Sequence, residues 1–224
     1  MIKKRDGYIA IGDIHGCSET LIVLLERLDV EYGDTREYVF LGDYVDRGPN
    51  SKEVIDVLIE FSKTHACHFI RGNHDQMFLT YYQDNKYYEY LNYGGANTLE
   101  SYYASCPDKK VPYSHLKFLI KTKLFHEEEH WVFVHGGFPP NMTIAEALAD
   151  EDAYSSFLWN RDHLHSKENN WEKTVVFGHT PVREPIEKDN MIGIDTGCVY
   201  EQFGKLTAVI LPEVEFVQQK RIDF

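Results

Sequence analysis

The stretch LGDYVDRGPN, residues 41–50, joins two acids, an arginine, two glycines and a proline to the apolar run Tyr38-Val39-Phe40-Leu41. One such cluster reads as a well-made turn. Five further apolar runs end in the same residue types, Gly, Asp, Asn or His. YIAI runs into GDIHG, HFIR into GNHD, WVFV into HGG, VVF into GHT and MIGI into DTGC. A short apolar run bounded by turn residues has the length and character of a buried strand. The runs at 8–11, 38–41, 68–70, 131–134, 174–177 and 191–194 are therefore predicted strands, and a pair near 206–211 and 214–217 predicts a closing hairpin.

Between the strands, Ser18 to Val30 predicts a helix, because Leu21, Leu24, Leu25 and Leu28 recur at i, i+3, i+4 and i+7. Asn50 to Phe61 predicts another, with Asn50 as its cap and Glu53 at the capping-box position. Strand–helix alternation in the first third argues for an α/β fold. From about 76 to 125 the chain turns helical and aromatic, which predicts an insert on one side of a single domain spanning 1–224. Tyr81, Tyr82, Tyr87, Tyr88, Tyr90, Tyr93, Tyr102 and Tyr103 crowd into it. Amphipathic packing is the preferred reading of these rings over a rim that stacks a base or holds a phosphopeptide. Gly94-Gly95-Ala96-Asn97 predicts a turn between helices.

Composition narrows the function. No apolar run approaches the ~20 residues that span a bilayer, and Gly12-Asp13 interrupts the N-terminal apolar run before it becomes a secretory signal. Four scattered cysteines without a CxxC suit thiols in a reducing cytoplasm. A formal net charge of −13 argues against binding polymeric nucleic acid. An anionic substrate must then meet local positive charge, from arginines or a bound cation.

If the strands lie side by side with their polar ends together, the loops gather Asp13, His15, Asp43, Asn73, His135 and His179. Carboxylate, amide and imidazole all ligate divalent metals without a thiolate. Two aspartates buried bare among imidazoles are costly; a pair of divalent cations offsets them. Gly12, Gly42 and Gly72 each precede a ligand-bearing residue, where a missing Cβ permits close backbone approach. The other histidines, 65, 68, 115, 126, 130, 163 and 165, fit no such pattern and read as surface or structural.

GDIHG (12–16), GDYVDRG (42–48), GNHD (72–75), HGG (135–137) and GHT (178–180), in this order, resemble the phosphoprotein phosphatase branch of the calcineurin-like metallophosphoesterases. The size is similar to the small bacterial and phage members, which include lambda-type Ser/Thr phosphatases and diadenosine tetraphosphatases. The resemblance implies two mixed β-sheets packed as a sandwich and flanked by helices, with a dinuclear site at one edge. It implies one metal on Asp13, His15 and Asp43, with Asp43 bridging to a second metal on Asn73, His135 and His179. Manganese is the first expectation for the ions, with iron, zinc, cobalt or nickel as alternatives. It implies a catalytic set of Asp46, Arg47, His74 and Arg161, the last matched only by the short LWNRD. GNHD departs from the more usual GNHE, so the role of Asp75 is open. IDTGC (194–198) stands where large members carry a longer C-terminal segment.

In such a site a metal pair lowers the pKa of a shared water, giving hydroxide that attacks phosphorus in line. Arg47 and Arg161 suit the equatorial phosphate oxygens, because a guanidinium fork binds them bidentately. His74, oriented by Asp46, suits the acid that protonates the leaving alkoxide, worth ~10²–10⁴-fold. Three functions follow in order. The first is a Ser/Thr protein phosphatase, the second a dinucleoside tetraphosphate hydrolase, and the third an inactive metal-bound binding module.

Overall fold

The computed structural model describes residues 6–84, 89–106, 108 and 110–224. The chain opens with β1 (Tyr8–Ile11), α1 (Ser18–Tyr32), β2 (Glu37–Phe40), α2 (Ser51–Phe61) and β3 (Cys67–Phe69). Helices follow: α3 (Asn73–Asp84), a π-helical turn (Leu91–Gly95), α4 (Ala96–Ser105) and α5 (Tyr113–Ile120). Next come β4 (Phe125–Glu127), β5 (Trp131–Val134), α6 (Ile144–Ala149), α7 (Tyr154–Trp159) and β6 (Thr174–Phe177). The last elements are β7 (Ile186–Lys188), β8 (Met191–Gly193), β9 (Lys205–Leu211) and β10 (Glu215–Lys220).

The strands form two mixed five-stranded sheets, in the orders β10-β9-β1-β2-β3 and β4-β5-β6-β8-β7. Strand alternation builds three apolar layers, because successive side chains face opposite ways. Ala10, Val39 and Ile70 from the first sheet meet Phe133, Val176 and Ile192 from the second in the middle layer. Ile9, Ile11, Tyr38 and Phe40 point outward onto Leu21, Leu24 and Leu28 of α1 and Val54 and Leu58 of α2. Val132, Val175 and Phe177 point the other way, onto Ile144 and Ala147 of α6 and Phe157 of α7. The expected sandwich with flanking helices is the fold observed.

The six predicted strands and the closing hairpin form. Two short strands, β4 and β7, arise where no apolar run announced one: FHE and IEK are three-residue edge strands held by antiparallel pairing. Capping at α2 differs from expectation. Asn50 occupies the cap position, but its side chain makes no capping bond and no box forms with Glu53. Its backbone N–H is instead engaged by Gly16 O, 3.0 Å away, which ties α2 to the GDIHG loop. A capping box forms at α6 between Thr143 and Glu146. Helix α1, whose own cap Cys17 contributes no side-chain bond, is capped from the far end of the chain. The Asp223 carboxylate accepts from the N–H groups of Glu19 and Thr20, at 2.8 and 3.2 Å.

Among the tyrosines of the helical stretch, Tyr90 and Tyr102 are fully buried in the core, whereas Tyr82, Tyr93 and Tyr103 are exposed. Tyr87 and Tyr88 lie outside the described residues. Gly94-Gly95-Ala96-Asn97 forms the kinked junction between the π turn and α4 rather than an open turn.

His163, in the segment between α7 and β6, is packed edge-on to Phe177 with ring centroids 4.6 Å apart. It is buried, and neither ring nitrogen has a hydrogen-bond partner. Burial pulls its pKa down to about 4. An unfolded chain takes up this proton near pH 6.5, so between 6.5 and 4 the unfolded state holds more protons and acidification destabilises the fold. We expect His163→Phe to shrink the stability difference between pH 7 and pH 5 by about 2 kcal/mol in urea melts. An unchanged difference would show that this ring takes its proton inside the fold.

Candidate metal centre

β1, β2 and β3 are parallel neighbours, so the loops carrying Asp13, His15, Asp43 and Asn73 leave one edge together. β5, β6 and β8 are parallel neighbours in the other sheet and deliver His135, His179 and Asp195. Sandwich packing brings the two edges face to face. Asp13, His15, Asp43, Asn73, His135 and His179 are all buried there.

Asp43 lies at the centre. Its Oδ2 is 3.3 Å from His15 Nε2 and its Oδ1 is 3.5 Å from His135 Nε2. Two triplets therefore share this carboxylate, His15–Asp43–His74 and Asp43–His135–His179, each with donor atoms within 4.8 Å of one another. Asn73 Oδ1 lies 2.9 Å from His135 Nε2, beside the second triplet. Asp13 stands outside both triplets; its two oxygens accept from His179 N–H at 3.1 Å, which links the first sheet to the second.

The ring tautomers are set from behind. His15 Nδ1–H donates to Val45 O and His135 Nδ1–H to Leu41 O, both at 2.8 Å, leaving each Nε2 to face the centre. A backbone carbonyl behind the far ring nitrogen is the usual way a ligating histidine is oriented. His179 Nε2 is buried without a partner. Burial pulls His15 down to about 4 and His179 to about 2, so both imidazoles are neutral; the His179 lone pair is open to a cation, and that of His15 accepts from Arg47 Nη1 at 2.6 Å.

The carboxylates are crowded. Burial, Asp195 and Asp43 push Asp13 well above the usual range, and burial raises Asp195 to about 7. Burial works against Asp43 too, and only positive charge on the side of His135, His74 and His15 holds it well below the usual range. The donor set thus fits divalent cations: neutral imidazoles aimed inward, one orphaned nitrogen, and carboxylates in excess of nearby positive charge.

Asp75, the shorter residue of GNHD, has a clear task. Its Oδ2 accepts from Asp43 N and Gly72 N at 2.9 and 2.8 Å, and its Oδ1 from Tyr44 N at 3.0 Å. It fixes the backbone of the GDYVDRG loop from the start of α3. A Cβ on Gly72 would sit 2.0 Å from Asp43 Oδ1, so glycine is required for this carboxylate to lie where it does.

The backbone of the site is strained. Among the described residues seven non-glycines have positive φ, and five of them are His15, Asp43, Asp46, Arg47 and His179. Each such residue costs about 1–3 kcal/mol and persists only where its surroundings over-determine it.

The remaining sequence-predicted residues line the same edge. His74 Nδ1–H donates to Asp46 Oδ2 at 2.7 Å. Arg47 Nη1 lies 2.6 Å from His15 Nε2, with its guanidinium 5.3 Å from the centre of the Tyr200 ring. Arg161 is exposed at the rim and donates through Nε to Thr180 Oγ1 at 3.2 Å. Tyr90 and Thr98, which sequence reasoning left unassigned, both contact Asp46. No local signal marks them, because 44 residues separate Tyr90 from Asp46. Asp195 carries a signal, a strand end running into DTGC, and the structure adds its buried carboxyl to the same edge.

Two facing sheets with carboxylate, amide and imidazole donors at one shared edge define a metal-dependent phosphoric ester hydrolase. The chain belongs to the calcineurin-like phosphoesterase family, which it matches over residues 8–210. It is 29% identical to the asymmetrical bis(5'-nucleosyl)-tetraphosphatase PrpE of Oceanobacillus iheyensis, over 92% of this chain and 89% of that one. The PrpE of Halalkalibacterium halodurans is 30% identical, over 92% and 91%. In fold the chain is similar to a cold-active protein-tyrosine phosphatase of Shewanella, with a TM-score of 0.65, 16% identity and 98% and 83% of the two chains covered. A Saccharomyces cerevisiae protein serine/threonine phosphatase gives 0.66, 16%, and 97% and 80%.

Because Asp43 turns one oxygen toward His15 and the other toward His135, Asp43→Asn should weaken metal binding on both sides at once. Metal content after dialysis, read by mass spectrometry, is expected to fall at least tenfold at limiting metal, since loss of a group that only orients a ligand already costs about 10–100-fold in affinity. Retention of two ions per chain in this variant would remove Asp43 from the shared position.

Proposed function

We propose that the chain hydrolyses dinucleoside tetraphosphates with the help of two divalent ions held by Asp13, His15, Asp43, Asn73, His135 and His179. The hydrolytic reading rests on one observation, the Asp43 carboxylate with one oxygen toward His15 and the other toward His135. The substrate is supported by the PrpE relatives, which match nearly the full length of both chains. This reverses the order of the two substrates given by sequence motifs alone.

Bound in the site, the ions supply Lewis acidity and a hydroxide nucleophile at neutral pH. The chain itself does the rest. Arg47 lies beside His15 and offers two N–H groups to phosphate oxygens. Arg161 at the rim suits the more distant phosphates of an extended polyanion. Local guanidinium charge is what lets a −13 protein accept an anion. His74, held through Nδ1 by Asp46, keeps Nε2 for proton transfer to the departing oxygen. Manganese is our choice of ion from the oxygen-and-imidazole donor set, which also suits iron, zinc, cobalt and nickel. A reducing cytoplasm suits the chain: no disulfide forms among the described residues, and no helix is long and apolar enough to cross a membrane.

A second reading, hydrolysis of phosphoserine or phosphothreonine, is favoured by the Asp46–His74 pair. A leaving phosphate is stable as an anion, whereas an alkoxide needs a proton. A positioned acid therefore matters more for a protein substrate.

With Mn²⁺ present, diadenosine tetraphosphate should give the highest kcat/KM in a panel with p-nitrophenyl phosphate and a phosphoserine peptide, releasing ATP and AMP. A peptide preferred over the dinucleotide would reverse the two readings, and inactivity on all three would leave a binding module. In His74→Asn, metal content should hold while kcat on phenyl phosphate falls about 10²-fold or more. The loss on p-nitrophenyl phosphate, whose phenolate leaves unaided, should be much smaller. Equal losses on both esters would exclude an acid role.

A further inference from the structure

The helical stretch between β3 and β4 reaches into the site at one place. Tyr90, fully buried at the entrance to the π turn, donates its hydroxyl to Asp46 Oδ1. Thr98 Oγ1 donates to the same oxygen at 2.7 Å and accepts from Asp46 N–H at 2.8 Å. Asp46 N–H also reaches Ser51 Oγ at 3.1 Å. Asp46 Oδ2 is left for His74 Nδ1, 2.7 Å away. The carboxylate is thus divided: one oxygen belongs to the insert, the other to the histidine.

The backbone is gripped as well. Asp46 and Arg47 are consecutive residues with φ of 74° and 68°. Gly94 O accepts from Arg47 N–H at 3.1 Å, and Asn97 Nδ2 donates to Arg47 O. Gly94 lies so close that a Cβ there would sit 2.9 Å from Arg47 N, and its own φ is 100°. A Cβ on Gly95 would meet the Tyr90 ring at 2.3 Å. The glycines let Tyr90, the π turn and Thr98 close on the Asp46-Arg47 corner.

We propose that Tyr90, assisted by Thr98, is the positioning residue of the Asp46–His74 pair, so that the tyrosine-rich insert controls protonation of the leaving group. Without the Tyr90 hydroxyl, Oδ1 loses one of two donors, and the buried carboxylate rotates to recover it. Oδ2 then leaves the line to His74 Nδ1, and the ring loses the partner that fixes its tautomer and aim. The inference rests on the acid reading of His74.

The experiment uses the full chain with Mn²⁺ and two esters, phenyl phosphate and p-nitrophenyl phosphate. Tyr90→Phe, which keeps the ring, should lower kcat on phenyl phosphate about tenfold or more, within the span general acid catalysis provides. KM on both esters and kcat on p-nitrophenyl phosphate should stay within about threefold. Thr98→Val should act in the same direction, and Thr98→Ser, which restores the donor, should recover the wild-type rate. In a His74→Asn background Tyr90→Phe should add nothing, because both act through one proton transfer. Equal losses on the two esters, or a full additional loss in the His74→Asn background, would overturn the proposal. If His74→Asn alone shows no preference between the esters, the acid reading fails and this inference falls with it. A measurement on the wild-type protein is independent of any variant's folding. In the Zn²⁺-loaded protein, free of the line broadening of paramagnetic Mn²⁺, a downfield Nδ1 proton of His74, absent in His74→Asn, should appear in the NMR spectrum, and its absence would also overturn the proposal.

Discussion

The site depends on burying one carboxylate, Asp43, between imidazoles that come from two different sheets. A bare carboxylate in such a position carries a desolvation penalty of several kcal/mol. Within the chain one donor reduces it: His74 N–H donates to Oδ1 at 3.0 Å. Asp75 fixes the backbone of the loop but adds a carboxylate, and His15 and His135 turn nitrogen lone pairs toward Asp43, an arrangement that a cation between them completes. Further charge nearby does not help. Asp13 and Asp195 are pushed toward protonation by burial, and Asp13 also by its neighbouring carboxylates. The fold has therefore concentrated more negative charge at this edge than its own cations neutralise. Divalent ions resolve that imbalance, which explains why a protein of net charge −13 adds carboxylates at the point where an anion must bind.

Strand parallelism makes the concentration possible. A parallel triplet sends all its loops off one edge, so donors distant in sequence need only be placed one to four residues beyond each strand end. Sandwich packing then brings two such edges together. The middle layer of Ala10, Val39, Ile70, Phe133, Val176 and Ile192 sets the spacing between them. Apolar residues that carry no donor thereby set the separation of the two edges.

The local part of this arrangement was legible in the sequence. Each candidate donor lies within four residues of its strand end, so an apolar run ending in Gly-Asp, Gly-Asn or His-Gly marks both strand and donor. What was not legible depends on contacts between distant residues. Edge strands β4 and β7 carry no apolar run of their own and exist because a neighbour offers a free ladder. Asn50 has the right side chain for a helix cap, but its N–H is claimed by Gly16 O in a loop packed against it. The helix that lacks a cap receives one from Asp223, 203 residues from Thr20. Packing holds for the buried rings of Tyr90 and Tyr102, but each also carries a hydroxyl that requires a partner: Tyr102 meets His115 Nδ1 at 3.1 Å, and Tyr90 finds Asp46.

That last contact bears on how the strain of the site is sustained. Five non-glycine residues in left-handed conformations within one edge represent several kcal/mol of local cost. For Asp43 the opposing force comes from Asp75, at the start of α3, and for Asp46 and Arg47 from the π turn and α4. The Asp43 and Asp46-Arg47 corners are thus held by helical elements lying after β3, with Ser51 of α2 sharing the hold on Asp46, and not by the sheet that carries them. A sheet alone fixes where a loop begins, but its hydrogen-bond ladder ends there and exerts no hold on the residues beyond. Rigid catalytic geometry in loops requires a second body that satisfies their backbone groups from outside. In this chain the helices that follow β3 supply it, and they do so through a tyrosine, a threonine and a close-packed pair of glycines instead of a further metal ligand.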